Sequence, residues 1–395
     1  MDTSEPRAKN KWMDFTPAGP GTPMGRFLRQ FWQPVFVSNK LPVGRSVPIL
    51  IMGEHFTLYR GSSGTPYVVG FRCAHRNTQL STGWVRGDAL QCLYHGWTYD
   101  GSGQCIARPA ESPPGPCPEV SIPSYPTREH LGFIYAYFGG GEPPAFPPFP
   151  VFEDEGVVDN RFYDYPCNWF QSWENHLDEV HVAFTHQRGG THRALGREIE
   201  PPQTFIEETD YGMVRHTSTE SGATRITHFI FPNTMRVFLP PTNGLFGAGG
   251  WRDSYVTLVP TDDENHLLFM TQHIRVSGAE ADAYKKARDK YLAGLAAAPI
   301  PRDVGRAILA GKLSLEDVQD HPNLATIEDI CAQLGQGPIH NRGKEYLGRS
   351  DLCIVRMRRL FERELRALAE GRPTKAWHFS GEAPQLTGTV ERAPV

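Results

Sequence analysis

Several features that would assign this chain to other classes are missing. No apolar run approaches the roughly 20 residues that a bilayer-spanning helix needs, so no membrane partner is expected. The opening stretch, MDTSEPRAKNKWMDF, carries charges but no apolar h-region, which argues against a secretory signal. Cysteine is sparse: seven residues, an odd count, without the spacing of a disulfide framework. That usage suits a reducing compartment. Cys105, Cys117, Cys167, Cys331 and Cys353 then read as ordinary buried or half-buried thiols. Charge of one sign is also lacking: 40 basic against 44 acidic residues leave a net charge of −4. The densest basic run, Arg356 to Arg366, is interleaved with apolar and acidic residues as a solvated helix face would be. Nucleic acid is therefore not an expected partner. No internal repeat occurs. The sequence predicts a soluble cytoplasmic protein.

What is present is ample material for folding. The 395 residues suffice for two domains, and a hydrophobic content of 39% with 11% aromatic supports real cores. The densest chemistry lies in CAHRNTQLSTGWVRGDALQCLYHGW. It offers Cys73-x-His75 and then Cys92-x-x-His95, two soft thiolates and two imidazoles at close local spacing. Structural zinc takes the same four ligand types, but a zinc finger usually pairs Cys with Cys and His with His. Here each arm supplies one of each and ends in His. That order is what a Rieske [2Fe–2S] cluster needs, with two cysteines on one iron and two histidines on the other. Neutral imidazole in place of charged thiolate raises the cluster potential above that of an all-cysteine ferredoxin.

Residues from about 30 to 138 are rich in short β-branched and aromatic runs separated by Gly, Ser and Pro, such as VPILIMGEHFTLYRG and PYVVGFRCAH. GWTYDGSGQC reads as strand, turn and strand, with Asp100-Gly101 as the turn signal. Both ligand arms thus fall at hairpin tips of a small antiparallel domain. FGGGEPPAFPPFP, residues 138–150, is a stiff Gly/Pro spacer and marks the boundary between a domain at 25–145 and one at 146–395. The second domain opens on NWFQSWENHLDEVHVAFTH, residues 168–186, with helical patterning. Strands follow over 203–275, then a helix in AEADAYKKARDKYLAGLAA. A Pro- and Gly-punctuated stretch over 298–326 is expected to cover the site. An amphipathic helix at about 350–371 is opened by Ser350-Asp351 and closed by Gly371.

The first of these helical segments contains Asp178, His181 and His186. Two histidines and a carboxylate are the ligand set of a mononuclear non-haem Fe(II) centre with open positions for O2. On an ideal helix, five residues turn by roughly 500°, leaving His181 and His186 about 140° apart. They share a metal only if a π-bulge widens a turn or the helix ends before His186. A third carboxylate must come from further along; Glu316, Asp317, Asp320, Glu328, Asp329 and Asp351 are candidates that the residues alone leave open.

The cluster motif followed by Glu174-Asn175-x-x-Asp178-x-x-His181-x4-His186 resembles the α-subunit of the Rieske non-haem iron ring-hydroxylating oxygenases over about residues 28–370. The segment from Glu328-Asp329-Ile330-Cys331 through GQGPIHNRGKEYLGRSD is most similar to their phthalate-dioxygenase-like group. The resemblance implies an α+β chain: a small antiparallel β Rieske domain and a helix-grip catalytic domain with a long antiparallel sheet. It maps the third iron ligand onto Asp329 and places Asn175 and Asp178 among the catalytic residues. Asp178 is implied to bridge His181 to His95 of a neighbouring subunit, which calls for a homo-oligomer, a head-to-tail trimer. A carboxylate that accepts from two imidazole N–H groups fixes both tautomers. Electrons are implied to come from NAD(P)H through a separate reductase, with or without a ferredoxin, and the substrates to be O2 and an aromatic acid or aryl ether. The sequence departs from the family at Asn77, where Gly is common, and at Leu334, where Glu is common. Asn tolerates the left-handed backbone that such a Gly provides.

A carboxylated substrate calls for a cation, and Arg215, Arg225 and Arg236 are candidates, though water-facing sheet positions suit them better. A rival reading is a Rieske-type electron-transfer protein, which needs only the first four ligands. Another is a zinc-stabilised binding module, which would be colourless where a Rieske cluster is red-brown.

Overall fold

The structure, a computed structural model, describes residues 13–186, 202–219, 224–239 and 251–381. It divides into two compact units. One comprises Ala18–Phe146 together with Val259–Asp262; the other comprises the remaining described residues. No helix among the described residues is long and apolar enough to cross a membrane.

The first unit opens with a short helix α1 (Pro23–Leu28), capped by the Thr22 hydroxyl on the Gly25 N–H. Eleven strands follow: β1 (Trp32–Val37), β2 (Ser46–Ile51), β3 (Glu54–Arg60), β4 (Pro66–Gly70), β5 (Trp84–Arg86), β6 (Ala89–Gln91), β7 (Thr98–Tyr99), β8 (Cys105–Ala107), β9 (Ser124–Tyr125), β10 (Thr127–His130) and β11 (Phe133–Tyr137). They form three sheets, in the orders β1-β11-β10, β2-β3-β4-β9 and β5-β6-β7-β8. The β2–β3 hairpin turns on Met52 and Gly53, with φ of 50° and 70°. Positive φ at both central residues is the turn whose twist matches the flanking strands. The turn also meets chain from far away: the Met52 and Gly53 N–H groups donate to Pro260 O and Thr261 O, both at 2.7 Å. Between the β2 and β5 sheets lies a core of Tyr59, Val69, Leu80, Leu90, Tyr99 and Ile122, which also buries Cys73 and Cys92.

The second unit is built on β12 (Val157–Tyr165), β13 (Gln203–Glu208), β14 (Gly212–Ser218), β15 (Thr224–Ile230), β16 (Thr234–Leu239), β17 (Arg252–Pro260) and β18 (His266–Ile274). They form one seven-stranded sheet in the order β12-β18-β17-β16-β15-β14-β13. The expected strands over 203–275 are present. The edge strand β12, VVDNRFYDY, is an addition that its charged composition hid.

Among the described residues, six helices accompany this sheet: α2 (Trp169–Leu177), α3 (Val180–Thr185), α4 (Gly278–Ala297), α5 (Pro301–Leu309), α6 (Leu324–Leu334) and α7 (Leu352–Ala369). Helix α5 lies within the Pro- and Gly-punctuated stretch 298–326, for which no helix is expected from sequence. Pro301 stands in its first turn, where the missing N–H costs nothing. Gly305 lets it lie against α6, since a Cβ there would sit 2.5 Å from Ile330 Cγ2. Helix α2 is anchored by aromatic packing: Phe170 meets Phe361 of α7, and Trp173 meets Phe229 of β15. Its N-cap Asn168 accepts from the Phe170 N–H at 3.1 Å and donates to Asp263 O at 2.8 Å.

Candidate metal centres

In the first unit, two loops of like construction hold the four sequence-predicted ligands. In the Cys73–Thr78 loop, the Cys73 N–H donates to Thr78 O at 2.9 Å and the Asn77 N–H to Cys73 O at 2.9 Å. In the Cys92–Trp97 loop, the Cys92 N–H donates to Trp97 O at 2.8 Å and the Gly96 N–H to Cys92 O at 3.1 Å. Each loop needs one left-handed residue at its fifth position, and these are Asn77 (φ 58°) and Gly96 (φ 74°). Asn therefore fills the place for which Gly is otherwise suited.

The two loops converge. The rings of His75 and His95 lie 4.7 Å apart, edge to face. His75 also stacks flat on Trp97 at 4.7 Å, which fixes its plane. Cys73 and Cys92 are buried and unbridged, and their thiols interact directly. Burial pushes the Cys92 thiol up, while the N–H groups of Tyr94 and His95 pull it down. The Tyr99 hydroxyl lies 3.2 Å from Cys73 Sγ. Buried thiols met by donors aimed at sulfur, with two imidazoles beside them, fit a [2Fe–2S] cluster held by Cys73, Cys92, His75 and His95.

In the second unit, the segment read as one helix is two. Helix α2 ends at Leu177, Asp178 leaves helical geometry at φ −87°, ψ 106°, and α3 begins two residues later. Asp178 Oδ1 accepts the N–H groups of Val180 at 2.8 Å and His181 at 3.2 Å, so its side chain starts the second helix. Buried Arg215 of β14 holds the break from below. It donates to His176 O at 3.1 Å and Leu177 O at 2.8 Å, two carbonyls freed at the end of α2, and pairs with Glu179. Arg225 pairs with the same carboxylate. His186 is the residue at which α3 ends, with φ −95° and ψ 23°. Of the two routes by which His181 and His186 could share a metal, the chain takes the helix end.

Helix α6 supplies the carboxylate. Asp329 Oδ1 lies 3.7 Å from His181 Nε2 and 3.4 Å from His186 Nε2. One ligand atom from each of the three residues falls within 4.8 Å of the other two. Asn175 Nδ2 donates to Asp329 Oδ1 at 3.1 Å and stands 3.4 Å from His181 Nε2. The Nδ1 of His181 bonds to the Asp178 carbonyl. The Nδ1 of His186 meets Glu328 Oε2 at 3.0 Å. Burial disfavours charge on His181. His186 is pushed up to about 9: burial opposes its charged form, but hydrogen bonds to Asp329 and Glu328 outweigh it. Asp329 stays below the usual carboxylate range despite burial, because His186 bonds to it. Two carboxylates thus converge on one imidazole and call for positive charge between them. A divalent ion supplies it while meeting all three donors, so the residues fit a mononuclear metal.

Of the other carboxylate candidates, Glu328 stays at this site through His186, while two more are engaged elsewhere. Asp317 accepts from Ser314, and Asp351 from the Gly348 N–H. Of the arginines suggested for substrate, Arg215 is buried and Arg225 and Arg236 are partly exposed. Arg215 and Arg225 pair with Glu179, and Arg236 with Asp253 at 2.6 Å. Sequence reasoning gave Glu174 no role; it accepts from Arg342 at 2.7 Å and from Arg358 at 2.6 Å, tying α2 to α7.

Residues 31–126 match the Rieske [2Fe-2S] domain family. Across 91% of its length the chain is 31% identical to the phenoxybenzoate dioxygenase subunit alpha of Ectopseudomonas oleovorans, covering 86% of that protein. It is 30% identical to the 5,5'-dehydrodivanillate O-demethylase oxygenase subunit of Sphingobium sp. (strain NBRC 103272 / SYK-6), over 91% of this chain and 80% of the relative. Among solved structures, a dicamba monooxygenase bound to dicamba superposes with a TM-score of 0.63 over 88% of this chain and all of the other, at 18% identity, a likeness of fold.

Proposed function

This chain belongs to the Rieske non-haem iron ring-hydroxylating oxygenases as an α-subunit, and from that premise we propose that it hydroxylates or O-demethylates a carboxylated aromatic compound. It is the oxygenase component of its system, and a reductase supplies the electrons. The observation that carries the catalytic reading is the convergence of His181, His186 and Asp329 from two helices on one point. A protein that only carried electrons would have no use for it. The aromatic acid is favoured because the relatives' names specify a phenoxybenzoate and a dehydrodivanillate.

When bound, the cluster and the ferrous ion supply one-electron transfer and O2 activation respectively. The chain's own residues do the rest. Cys73, Cys92, His75 and His95 hold the cluster, and His181, His186 and Asp329 hold the iron. Asn175 donates to Asp329 Oδ1, which orients that carboxylate toward the two histidines. Asp178 links His181 to His95 of a neighbouring copy, so the working unit is a head-to-tail trimer that closes on itself. Its cysteine usage supports a cytoplasmic location.

The test is O2 uptake with NAD(P)H, a compatible reductase and a panel of aromatic acids and their methyl ethers. Uptake coupled to product from one of them is expected from the intact protein and lost in Asp329→Ala. Uptake unaffected by Asp329→Ala would overturn the assignment.

A further inference from the structure

Glu328 precedes the proposed iron ligand on α6 and is only 2% exposed. Its Oε2 lies 3.0 Å from His186 Nδ1, while its Oε1 is buried with no hydrogen-bond partner among the described residues. A buried carboxylate with an unpaired oxygen is costly, so the contact it does make needs a reason. Neighbouring residues on a helix point about 100° apart. Here Glu328 and Asp329 nevertheless reach opposite edges of one ring, Asp329 at Nε2 and Glu328 at Nδ1. The partner histidine is held differently. His181 Nδ1 bonds to a backbone carbonyl, that of Asp178.

We propose that Glu328 is a positioning residue for the mononuclear metal: it takes the His186 Nδ1–H, fixes Nε2 as the nitrogen offered to iron, and makes His186 the stronger donor of the two histidines. A carboxylate that accepts an imidazole N–H locks the tautomer and adds electron density to the opposite nitrogen, whereas a neutral carbonyl adds less. The two histidines are thus unequal by construction. His186 anchors the metal, and His181, which the Asp178 chain reaches, is the softer attachment. This rests on His186 being a metal ligand.

The test uses the full-length protein, with the mononuclear site cleared by chelation and the cluster intact. Co(II) is added in equilibrium dialysis, and its high-spin EPR signal is recorded beside the EPR-silent oxidised cluster. Glu328→Gln keeps the shape and removes the charge. It should retain the cluster absorbance, bind Co(II) about 10–100-fold more weakly, and shift the Co(II) g-values. Wild-type affinity with unshifted g-values would overturn the role of Glu328. His186→Ala separates the two ideas. If it too binds Co(II) as the wild type does, the metal-site reading itself fails; if it alone loses the metal, only the part played by Glu328 fails. Should Glu328→Gln not fold, 15N-histidine NMR of Zn(II)-loaded wild-type protein decides. His186 with a proton on Nδ1 and metal on Nε2 is expected, and the reverse overturns the proposal.

Discussion

Asp178 acts through both its side chain and its backbone. Its Oδ1 receives the first N–H groups of α3, and its backbone carbonyl holds His181 Nδ1. Asn offers a side-chain carbonyl oxygen of the same reach, so Asp178→Asn keeps the helix start and removes only the charge. Iron content and the cluster spectrum should stay at wild-type levels, while turnover falls by about 100-fold or more, the upper end of what loss of an orienting carboxylate causes. Retained turnover in that variant contradicts the bridge. Single residues were also where the sequence was most legible. The Cys-x-His and Cys-x-x-His arms needed no tertiary information, because each loop closes on its own backbone. Asn77 stands where the family commonly has Gly; Asn tolerates a left-handed backbone, and the φ of Asn77 is 58°.

At the scale of elements, the local pattern fell short wherever distant chain decides the outcome. Trp169, Trp173 and Leu177 continue helically into Val180, and nothing in that periodicity announces a break. The break depends on Arg215 and Arg225, which lie on later strands and meet at Glu179. The same pairing commits both arginines to Glu179. Arg215→Met should destabilise the protein by about 3 kcal/mol, the low end for breaking a buried ion pair because Arg225 still faces Glu179. Chemical denaturation measures the loss, and mononuclear iron should drop with it because the α2–α3 corner carries Asn175 and His181. A change confined to the KM for an aromatic acid would instead favour a substrate contact. Glu328 illustrates the same limit. In sequence it is one of six carboxylate candidates for the third ligand, and only the fold shows it 2% exposed against His186. Helix α5 was legible in hindsight from Pro301 in its first turn, but Gly305 there reads as a breaker until α6 is seen to require it.

At the scale of the molecule, the chain divides its chemistry between two compact units, the four proposed cluster ligands in one and the three proposed iron ligands in the other. The broad α+β class is implied by the family resemblance, and the strand-like runs and helical segments in sequence agree with it. The seven-stranded order is not legible there, since pairing across 157–274 depends on contacts that no local run encodes. The account's central claim is that one polypeptide holds two separate iron centres of different kinds. Iron analysis combined with low-temperature EPR of purified, iron-replete protein, recorded before and after reduction, tests it most directly. The account predicts about three irons per chain, with about one spin per chain from the two-iron cluster appearing only on reduction. Two irons per chain, or no such signal on reduction, would contradict it.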